Sequence, residues 1–444
     1  MNRRHFIKNN LAAGTGLALA PSLGLGKVFE PPKQARVALI GVGLRGTNHL
    51  KNLLRRDDVV IQAICDIDPE RIKIALDLIS KAGFKKPETY TDSPEAFKKM
   101  LAREDFEGVV IATPWEWHTP MAVAAMKSGK WPGIEVSAAL TLEECWDLVN
   151  TSEATGMPCM ILENSCYRRD VMAILNMVRQ DIFGELTHCR CGYLHDLREI
   201  KFAPGAEFGE KGLHEAHWRT NHSVHRNGDL YPTHGVGPIA NILSINRGNR
   251  FVSLTSMATK SRSLHEYIVA QGGKDHPNAK IQFNLGDVVT TMIQTQNGET
   301  IIVTHDTNTP RPKEDDYHVQ GTKGLWMHNS NSIYIDGKSK VHVADAADSY
   351  LSQYDHPLWK KLGDKTAESG HPGGNDYFII HSFVESVKRK EPFVIDVYDA
   401  AAWSAITPLS EMSIAGGGAP QMFPDFTRGN WINRKPVFGL TDQY

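Results

Sequence analysis

The sequence predicts an α/β protein in which a doubly wound parallel sheet is followed by an α+β domain with a mostly antiparallel open sheet. Strand and helix patterns alternate from Arg36 to about Asn164, which is typical of a parallel sheet covered by helices on both faces. After about Cys166 the chain changes to long alternating strands, which are typical of antiparallel pairing. A chain of 444 residues is long enough for two domains. We therefore place the domains at 33–165 and 166–444.

The elements of the first domain are predicted from short apolar runs and from helical periodicity. Each apolar run is followed by a helical pattern, as a parallel sheet requires. The predicted strands lie at 37–40, 59–65, 109–112, 134–136 and 160–163. The predicted helices lie at 68–82, 119–129 and 141–155.

The second domain is predicted to open with a helix at 170–178. Two alternating strands at 287–296 and 299–306 are joined by Asn297-Gly298, a dipeptide that favours a tight hairpin turn. The late helical patterns at 377–388 and 398–415 are expected to return and brace the first domain. The open sheet of this domain is an expected face for a possible homo-oligomer.

The first apolar run leads directly into a glycine motif that fits G-x-G-x-x-G, Gly41-Val42-Gly43-Leu44-Arg45-Gly46. Gly41 allows a tight turn, and Gly43 lets the backbone approach a pyrophosphate. Gly46 lets the following helix pack on the strand, so that the anion lies at the N-terminus of the helix. A strand before the motif and a helix after it favour a Rossmann dinucleotide site over a chance match.

The second predicted strand ends at Asp66, twenty residues beyond Gly46. An acidic residue at this spacing is expected to accept hydrogen bonds from a ribose, and it repels a 2′-phosphate. The sequence therefore predicts NAD rather than NADP. Arg45 is the one contrary signal, because a guanidinium beside the motif can hold a 2′-phosphate; the alternative is that it pairs with the pyrophosphate.

The N-terminus resembles a twin-arginine export signal, predicted over 1–26. Arg3 and Arg4 precede Phe6 and a short apolar stretch at 11–25, which is too short and too rich in glycine to predict a membrane span. The twin-arginine route carries folded proteins, and a protein that closes around a cytosolic dinucleotide must fold before export. We expect a periplasmic or otherwise exported protein that keeps its NAD and has no stable membrane anchor.

Composition excludes several classes of partner and site. A net charge of −2 argues against nucleic acid or an anionic membrane surface. The six cysteines contain no C-x-x-C pair and are predicted to be reduced core residues. His217 and His222 are too irregularly spaced to be metal ligands, and no metal is predicted.

Polar clusters follow the predicted strands of the first domain, where the ligand crevice of such a sheet lies. They are Trp115-Glu116-Trp117-His118, Glu135-Val136 and Glu163-Asn164. The second domain carries many ring-bearing and cationic groups, namely Tyr193, His195, His217-Trp218-Arg219, His222 and Tyr231-Pro232-Thr233-His234. Any one of these is commonly structural, but their density beside a nucleotide domain suits a glycan, because aromatic faces and charged donors bind sugars.

The first-domain clusters resemble oxidoreductases of the glucose-fructose oxidoreductase and inositol dehydrogenase type. In that superfamily a Glu-Lys-Pro run supplies a catalytic lysine. The corresponding run here is Glu135-Val136-Ser137, so the lysine is missing. This departure counts against an ordinary alcohol dehydrogenase.

The motifs together resemble glycoside hydrolase family 109, the NAD-dependent family typified by bacterial α-N-acetylgalactosaminidases, from about Arg36 to the C-terminus. The resemblance implies NAD contacts at Leu44, Arg45, Asp66, Trp115, Glu116, Trp117, His118, Glu135, Val136 and Asn164. It implies sugar contacts at Tyr193, Arg219, Tyr231, Pro232, Thr233 and His234. One position departs from the family, which presents a Tyr after Arg311-Pro312, where this chain has Lys313 with Tyr317 four places on.

The resemblance implies hydrolysis of terminal N-acetylgalactosaminides, with α linkage favoured. The implied cycle is oxidation at C3, loss of the C2 proton, elimination at C1, addition of water and re-reduction, with retention. We expect His234 and Tyr231 to transfer protons near C2 and C3, Arg219 to clamp the sugar and Tyr193 to assist the leaving group. The alternatives are a periplasmic sugar or cyclitol oxidoreductase using NAD(P) and a non-catalytic sugar-binding protein.

Overall fold

The computed structural model of this protein describes residues 34–202, 214–367 and 374–444. The predicted export signal at 1–26 lies outside the described residues. The region Lys33–Tyr444 forms one compact unit.

The first part of this unit contains a parallel sheet of the predicted type. Among the described residues it has six strands in the order β3-β2-β1-β4-β5-β6. They are β1 (Ala35–Ile40), β2 (Val59–Cys65), β3 (Glu88–Tyr90), β4 (Gly108–Ile111), β5 (Trp131–Ile134) and β6 (Met160–Ile161). The strand order reverses between β1 and β4, and ligands of such sheets bind outside the carboxyl ends of the strands at that point.

Helices cover this sheet, and their ends follow local sequence signals. They are α1 (Leu44–Leu53), α2 (Pro69–Lys81), α3 (Ala96–Leu101), α4 (Trp115–Lys127) and α5 (Leu142–Thr155). Helix α6 (Arg169–Arg179) follows them and opens the second domain, at the position predicted for a helix at 170–178. The carboxylate of Asp68 accepts from the backbone N–H of Glu70 at the start of α2, and the hydroxyl of Thr141 accepts from Glu144 at the start of α5. Gly156 ends α5 in the left-handed conformation.

The second sheet is mixed but mostly antiparallel, as predicted. Among the described residues it has nine strands in the order β14-β13-β12-β11-β7-β10-β9-β8-β15. They are β7 (Leu186–Leu194), β8 (Phe251–Ala258), β9 (Val289–Thr295), β10 (Thr300–Asp306), β11 (His318–Gly321), β12 (Gly324–Met327), β13 (Ser332–Ile335), β14 (Asp345–Ala346) and β15 (Gln421–Met422). The pair β7 and β10 is parallel. Gly298, with φ +102°, forms the predicted turn of the β9–β10 hairpin.

The remaining helices are α7 (Arg198–Lys201), α8 (Arg219–His225), α9 (Thr233–Ile242), α10 (Ser263–Gly272), α11 (Asp348–Gln353), α12 (Pro357–Leu362), α13 (Asn375–Arg389), α14 (Val397–Ser404) and α15 (Ile406–Ala415). Helix α13 packs on the first sheet, because the Phe383 ring lies directly over Gly108 and Gly133, with no room for a Cβ at Gly133. Helix α14 packs on α5, whereas α15 packs on β8, where Ser413 Oγ accepts from the backbone N–H of Ser256 at 2.8 Å.

Three predicted boundaries are wrong for identifiable reasons. The pattern at 398–415 is two helices, because Pro408 has no N–H to donate to the carbonyl of Ser404. The strand predicted at 134–136 lies at Trp131–Ile134. It was missed because it contains Pro132 and Gly133, which are uncommon inside strands and interrupt the apolar run. The helix predicted at 119–129 begins at Trp115, directly after Pro114.

All six cysteines are free and buried, in agreement with the sequence analysis. Cys189 and Cys191 both lie on the buried face of β7. In the described part of the chain, no helix is long and apolar enough to cross a membrane.

Candidate active site

The turn between β1 and α1 has the geometry that a bound pyrophosphate requires. Gly41 has φ +84°, and a Cβ there would lie 2.4 Å from the carbonyl oxygen of Ala112. A Cβ on Gly46 would lie 2.0 Å from the carbonyl oxygen of Gly41. By contrast, a Cβ on Gly43 would meet no atom within 4 Å. No side chain caps the first turn of α1, so its N–H groups face the open space beside Gly43 and fit an anion.

Asp66 lies at the carboxyl end of β2 and is held against the glycine turn. Its Oδ2 accepts from the backbone N–H of Val42 at 2.8 Å, and its Oδ1 accepts from Asp68 at 2.9 Å. Burial raises the pKa of this half-buried carboxyl. The fixed carboxylate beside the turn fits the ribose of a dinucleotide.

Arg45 is held between two carboxylates, an arrangement that differs from both sequence-based interpretations of its role. Its Nε donates to Glu135 at 2.6 Å, and its two terminal nitrogens donate to Asp376 at 2.8 and 2.9 Å. Glu135 also lies 2.6 Å from Nε2 of buried His49. Burial opposes ionisation of Glu135, but Arg45 and His49 hold its pKa well below its usual range. The guanidinium is therefore engaged by protein groups rather than presented to a phosphate.

Asn164 extends this network to the carboxyl end of β6. Its side-chain amide donates to Asp376 Oδ1 at 2.6 Å. Asp376, in the first turn of α13, was missed by sequence reasoning because it lies 212 residues from Asn164 in the chain. The network ties α13 to the nucleotide side of the site. Leu44, immediately before Arg45, is 53% exposed.

Only part of the Trp115–His118 segment contacts the sugar-side aromatic groups. The Trp115 ring stacks on Tyr231 with a centroid separation of 5.6 Å. Trp117 instead packs edge-on against Phe97, and Glu116 is exposed. His118 is buried with its ring nitrogens 2.7 Å from the carbonyl oxygens of Ser137 and Thr113.

Partly buried His234 and fully buried Glu163 form a hydrogen-bonded pair between the two domains. His234 lies in the first turn of α9 and directly follows the buried residues Pro232 and Thr233 in the sequence. Its Nδ1 lies 2.7 Å from Glu163 Oε1 at the end of β6. Because a carboxylate only accepts, the proton of the neutral ring is on Nδ1 and the lone pair is on Nε2. This arrangement leaves Nε2 able to act as a base.

Glu163 was noted in the sequence only as a strand end, and its partnership with His234 was missed. The residue is fully buried, and among the described residues its Oε2 has no hydrogen-bond partner. Tyr317 donates its hydroxyl to the carbonyl of His234, which fixes the start of α9. Its position next to Asn164, after the last strand of the first sheet, was the signal in the sequence that could have identified Glu163 as a site residue.

Two tyrosines lie beside His234, and an arginine lies beside one of them. The ring centroids of Tyr193 and Tyr231 lie 5.5 and 5.0 Å from that of His234 and 4.7 Å from each other. Burial raises the pKa of Tyr193 to about 12 and that of Tyr231 well above its usual range, so both phenols keep their protons at neutral pH. Arg219 lies 5.0 Å from the Trp115 ring and 5.1 Å from the Tyr231 ring.

The edge of this cluster contains further ionisable groups. Arg219 Nε lies 2.7 Å from Glu215, and the Tyr193 hydroxyl lies 3.2 Å from His195 Nδ1. Burial, with a contribution from exposed Lys313, lowers the pKa of His195. Tyr317, the tyrosine nearest in sequence to Lys313, is buried. The described residues contain no cluster of three or more metal-ligating side chains.

Comparison with known proteins assigns the two parts of the chain to two known domain families. Residues 35–162 match the oxidoreductase family with an NAD-binding Rossmann fold. Residues 167–433 match the C-terminal domain of glycosyl hydrolase family 109. The chain belongs to glycosyl hydrolase family 109. The NAD prediction is thereby confirmed, as is the family resemblance.

Curated members of family 109 align with the whole chain. An alpha-N-acetylgalactosaminidase of Tannerella forsythia is 52% identical, over 99% of each chain. A family 109 protein of Stenotrophomonas maltophilia is 50% identical, over 100% of this chain and 99% of its own. A levoglucosan dehydrogenase solved with NADH has a TM-score of 0.65 at 19% identity, over 88% of this chain and 99% of its own. That likeness shows that this chain shares the fold of that dehydrogenase.

Proposed function

We propose that this glycosidase hydrolyses terminal N-acetylgalactosaminides, with α linkage favoured, through a cycle of oxidation, elimination, addition and reduction that retains configuration. The name of the Tannerella forsythia relative supports the substrate. The observation that carries the mechanism is the His234–Glu163 pair, because it places a base beside the two protonated tyrosines and next to Asn164 on the nucleotide side.

In this cycle each group has a distinct task. When bound, NAD supplies a hydride acceptor for C3 that is restored within each turnover. His234 Nε2 takes the proton at C2, and Glu163 stabilises the resulting imidazolium. Tyr231 relays the proton of the C3 hydroxyl by releasing its own phenolic proton to solvent as it takes up the hydroxyl proton, and Tyr193 protonates the leaving oxygen. Arg219 holds the sugar or its acetamido group.

The carboxylates near the site support this route over a conventional displacement at C1. Most glycosidases use a pair of carboxyl groups flanking the bond, with NAD-dependent enzymes among the exceptions. Here Glu163 is bound by His234, Glu135 by Arg45 and His49, and Asp376 by Arg45 and Asn164. None of these is arranged as a free acid facing a free base.

The absence of a lysine after Glu135 favours an NAD-dependent glycosidase over a simple oxidoreductase. Val136 is buried and apolar, so it offers no proton acceptor where the oxidoreductases have a base. Exposed Lys313 does not lie at that position in the sheet, since it precedes β11 in the second domain.

A cofactor-free assay distinguishes the alternatives. Purified protein is incubated with p-nitrophenyl α-N-acetylgalactosaminide without added NAD, while nitrophenol and NADH absorbance are followed together. The proposal predicts many turnovers of nitrophenol release with no accumulation of NADH. Accumulating NADH without nitrophenol indicates an oxidoreductase, and binding without either signal indicates a sugar-binding protein.

We also propose export by the twin-arginine route to the periplasm. The proposal rests on Arg3, Arg4 and the short apolar stretch that follows them. Replacing both arginines with lysine is expected to leave folded, active enzyme in the cytosol. Unchanged export of this variant would contradict the proposal.

A further inference from the structure

A cavity opens beside the start of α6 and helix α11. It has a volume of about 580 Å³, within the usual range for ligand pockets of about 300–1,000 Å³. We call it the α6–α11 cleft. Asn375, the first residue of α13, also lines it. Its other lining residues are Arg168, Arg169, Asp170, Asp348, Leu351 and Ser352.

Helix α11 presents one face to this cleft. Asp348, Leu351 and Ser352 occupy positions i, i+3 and i+4, which lie together on a helix surface. Asp348 and Ser352 are exposed, so they form a solvent-accessible rim. The cleft can therefore receive a ligand from solvent.

Both cationic side chains of the cleft are paired with carboxylates, while Asp348 accepts from the side-chain amide of Asn331. Arg168 donates to Asp170 at 2.8 Å and to Asp315 at 2.9 Å, while Arg169 donates to Asp355 at 2.8 Å. The guanidinium groups are thus already neutralised by carboxylates, which does not favour an anionic ligand. What remains is a lining of hydrogen-bond donors and acceptors with one apolar side chain, Leu351. This mixture suits a neutral ligand whose hydroxyls both donate and accept, such as a sugar.

The lining residues of the cleft are linked through neighbouring residues to both sides of the active site. Asn375 directly precedes Asp376, which binds Arg45 and Asn164. The Arg168 guanidinium lies 5.6 Å from the centre of the Tyr317 ring, and the Tyr317 hydroxyl donates to the carbonyl of His234. A single side chain therefore bridges the cleft wall and the proposed base.

We propose that the α6–α11 cleft binds the sugar residues on the leaving-group side of the scissile bond. This inference rests on the proposed function. An enzyme that removes a terminal sugar has all the other sugars of its substrate on the leaving-group side, so a second glycan cavity next to the site serves that side. The cleft makes the enzyme prefer oligosaccharides to simple aryl glycosides.

The test compares a substrate that reaches the cleft with one that does not. The long substrate is a tetrasaccharide with a terminal α-linked N-acetylgalactosamine, and the short one is p-nitrophenyl α-N-acetylgalactosaminide. Ser352→Trp fills the rim, and Asp348→Asn changes its hydrogen bonding without adding bulk. The matched control is Ser349→Trp, at an exposed serine of the same helix outside the cleft.

We expect Ser352→Trp to raise KM for the tetrasaccharide about tenfold or more, with kcat/KM for the aryl glycoside unchanged. Asp348→Asn is expected to act in the same direction by a few-fold, and Ser349→Trp to change neither substrate. The trisaccharide left after cleavage is expected to inhibit hydrolysis of the aryl glycoside by the wild type and to inhibit the Ser352→Trp variant at least fivefold less.

Equal tetrasaccharide kinetics in the wild type and in Ser352→Trp would overturn the cleft assignment. Equal losses on both substrates would also overturn it, since the cleft would then belong to the terminal-sugar site. A wild type that hydrolyses neither substrate contradicts the proposed function instead, so the two failures are distinguishable.

Discussion

His234 and Glu163 concentrate the proposed chemistry in one hydrogen bond. A histidine whose Nδ1–H is held by a buried carboxylate has its tautomer and ring orientation fixed, which leaves Nε2 for proton transfer. Glu163 is fully buried just after β6, so water does not compete with His234 for its carboxylate. The pair thus behaves as a positioned base rather than as a surface ion pair.

Removing either member of this pair is expected to stop turnover without releasing NAD. His234→Ala removes the base and is expected to lower kcat by roughly 10² to 10⁴, the usual contribution of one general acid or base. Glu163→Gln keeps the size of the side chain, but its amide can donate to Nδ1 and select the wrong tautomer. We expect a loss in kcat of about 10² or more for this positioning residue.

The controls are the bound dinucleotide and the Michaelis constant. Both variants are expected to release as much NAD on denaturation as the wild type, because the glycine turn lies elsewhere. For Glu163→Gln the loss is expected in kcat, with KM nearly unchanged. Near-normal kcat in both variants would show that His234 is not the acid or base.

At the scale of elements, the turn between β1 and α1 offers a contrast between two glycines. Gly46→Ala puts a Cβ 2.0 Å from the carbonyl of Gly41, so we expect a loss of both stability and NAD. Gly43→Ala meets no protein atom within 4 Å, and its φ of −66° suits alanine, so the NAD-free protein is expected to stay stable. Its methyl group points into the space for the pyrophosphate, and we expect weaker NAD binding.

Thermal unfolding of NAD-free samples and measurement of bound dinucleotide separate these effects. The account expects Gly43→Ala to unfold within a few degrees of the wild type while holding at least tenfold less NAD. Full retention of NAD by Gly43→Ala would mean that the pyrophosphate lies elsewhere.

Lys201 connects α7 to the end of β10 and gives the fold a pH dependence. Its buried ammonium donates to Thr307 Oγ1 at 2.8 Å and to Asn308 Oδ1 at 2.7 Å. Burial, helped by the positive charge of Arg219, lowers its pKa to about 7. Below pH 7 the folded and unfolded states both carry the proton, so the cost of burying the charge is present in full.

Above pH 7 the folded protein loses this proton, whereas the unfolded chain keeps it until about pH 10.4. The unfolded state then binds more protons, and the free energy of unfolding rises with pH. We expect the stability of the wild type, relative to Lys201→Met, to increase between pH 7 and 10. Denaturant unfolding at several pH values measures this difference. A flat difference would show that Lys201 is not buried as a charge.

The predictable part of these elements is the part encoded locally. Helix α5 was predictable because its N-cap, Thr141, and its C-cap, Gly156, are both recognisable in the local sequence. The glycine turn and Asp66 were likewise predictable from spacing. The start of α4 at Trp115 was missed, since its N-cap is Pro114 rather than a polar residue that caps through its side chain.

At the scale of the whole molecule, the site depends on contacts between distant parts of the chain. Asp376 reaches Arg45 across 331 residues, and Tyr317 reaches the carbonyl of His234 across 83. No local pattern reports such pairs, so the network around Arg45 could not be predicted. The density of rings around His234 was predictable, because those residues cluster in the sequence itself.

The turn that fits the nucleotide follows a strand of the first sheet, whereas His234 and the two tyrosines belong to the second domain. The pair His234–Glu163 joins them, since Glu163 follows β6 of the first sheet and His234 lies in the first turn of α9, which packs on β7 of the second. Redox chemistry at C3 and proton transfer at C2 can then act on the same sugar ring.

Exchange of the C2 hydrogen tests this mechanism most directly. Hydrolysis of p-nitrophenyl α-N-acetylgalactosaminide by the wild-type enzyme is run in heavy water, and the released sugar is analysed by NMR and mass spectrometry. Elimination and addition predict deuterium at C2 of the product, because the proton taken by His234 exchanges with solvent before water adds back. A product with ordinary hydrogen at C2 after many turnovers would contradict the account and indicate displacement at C1.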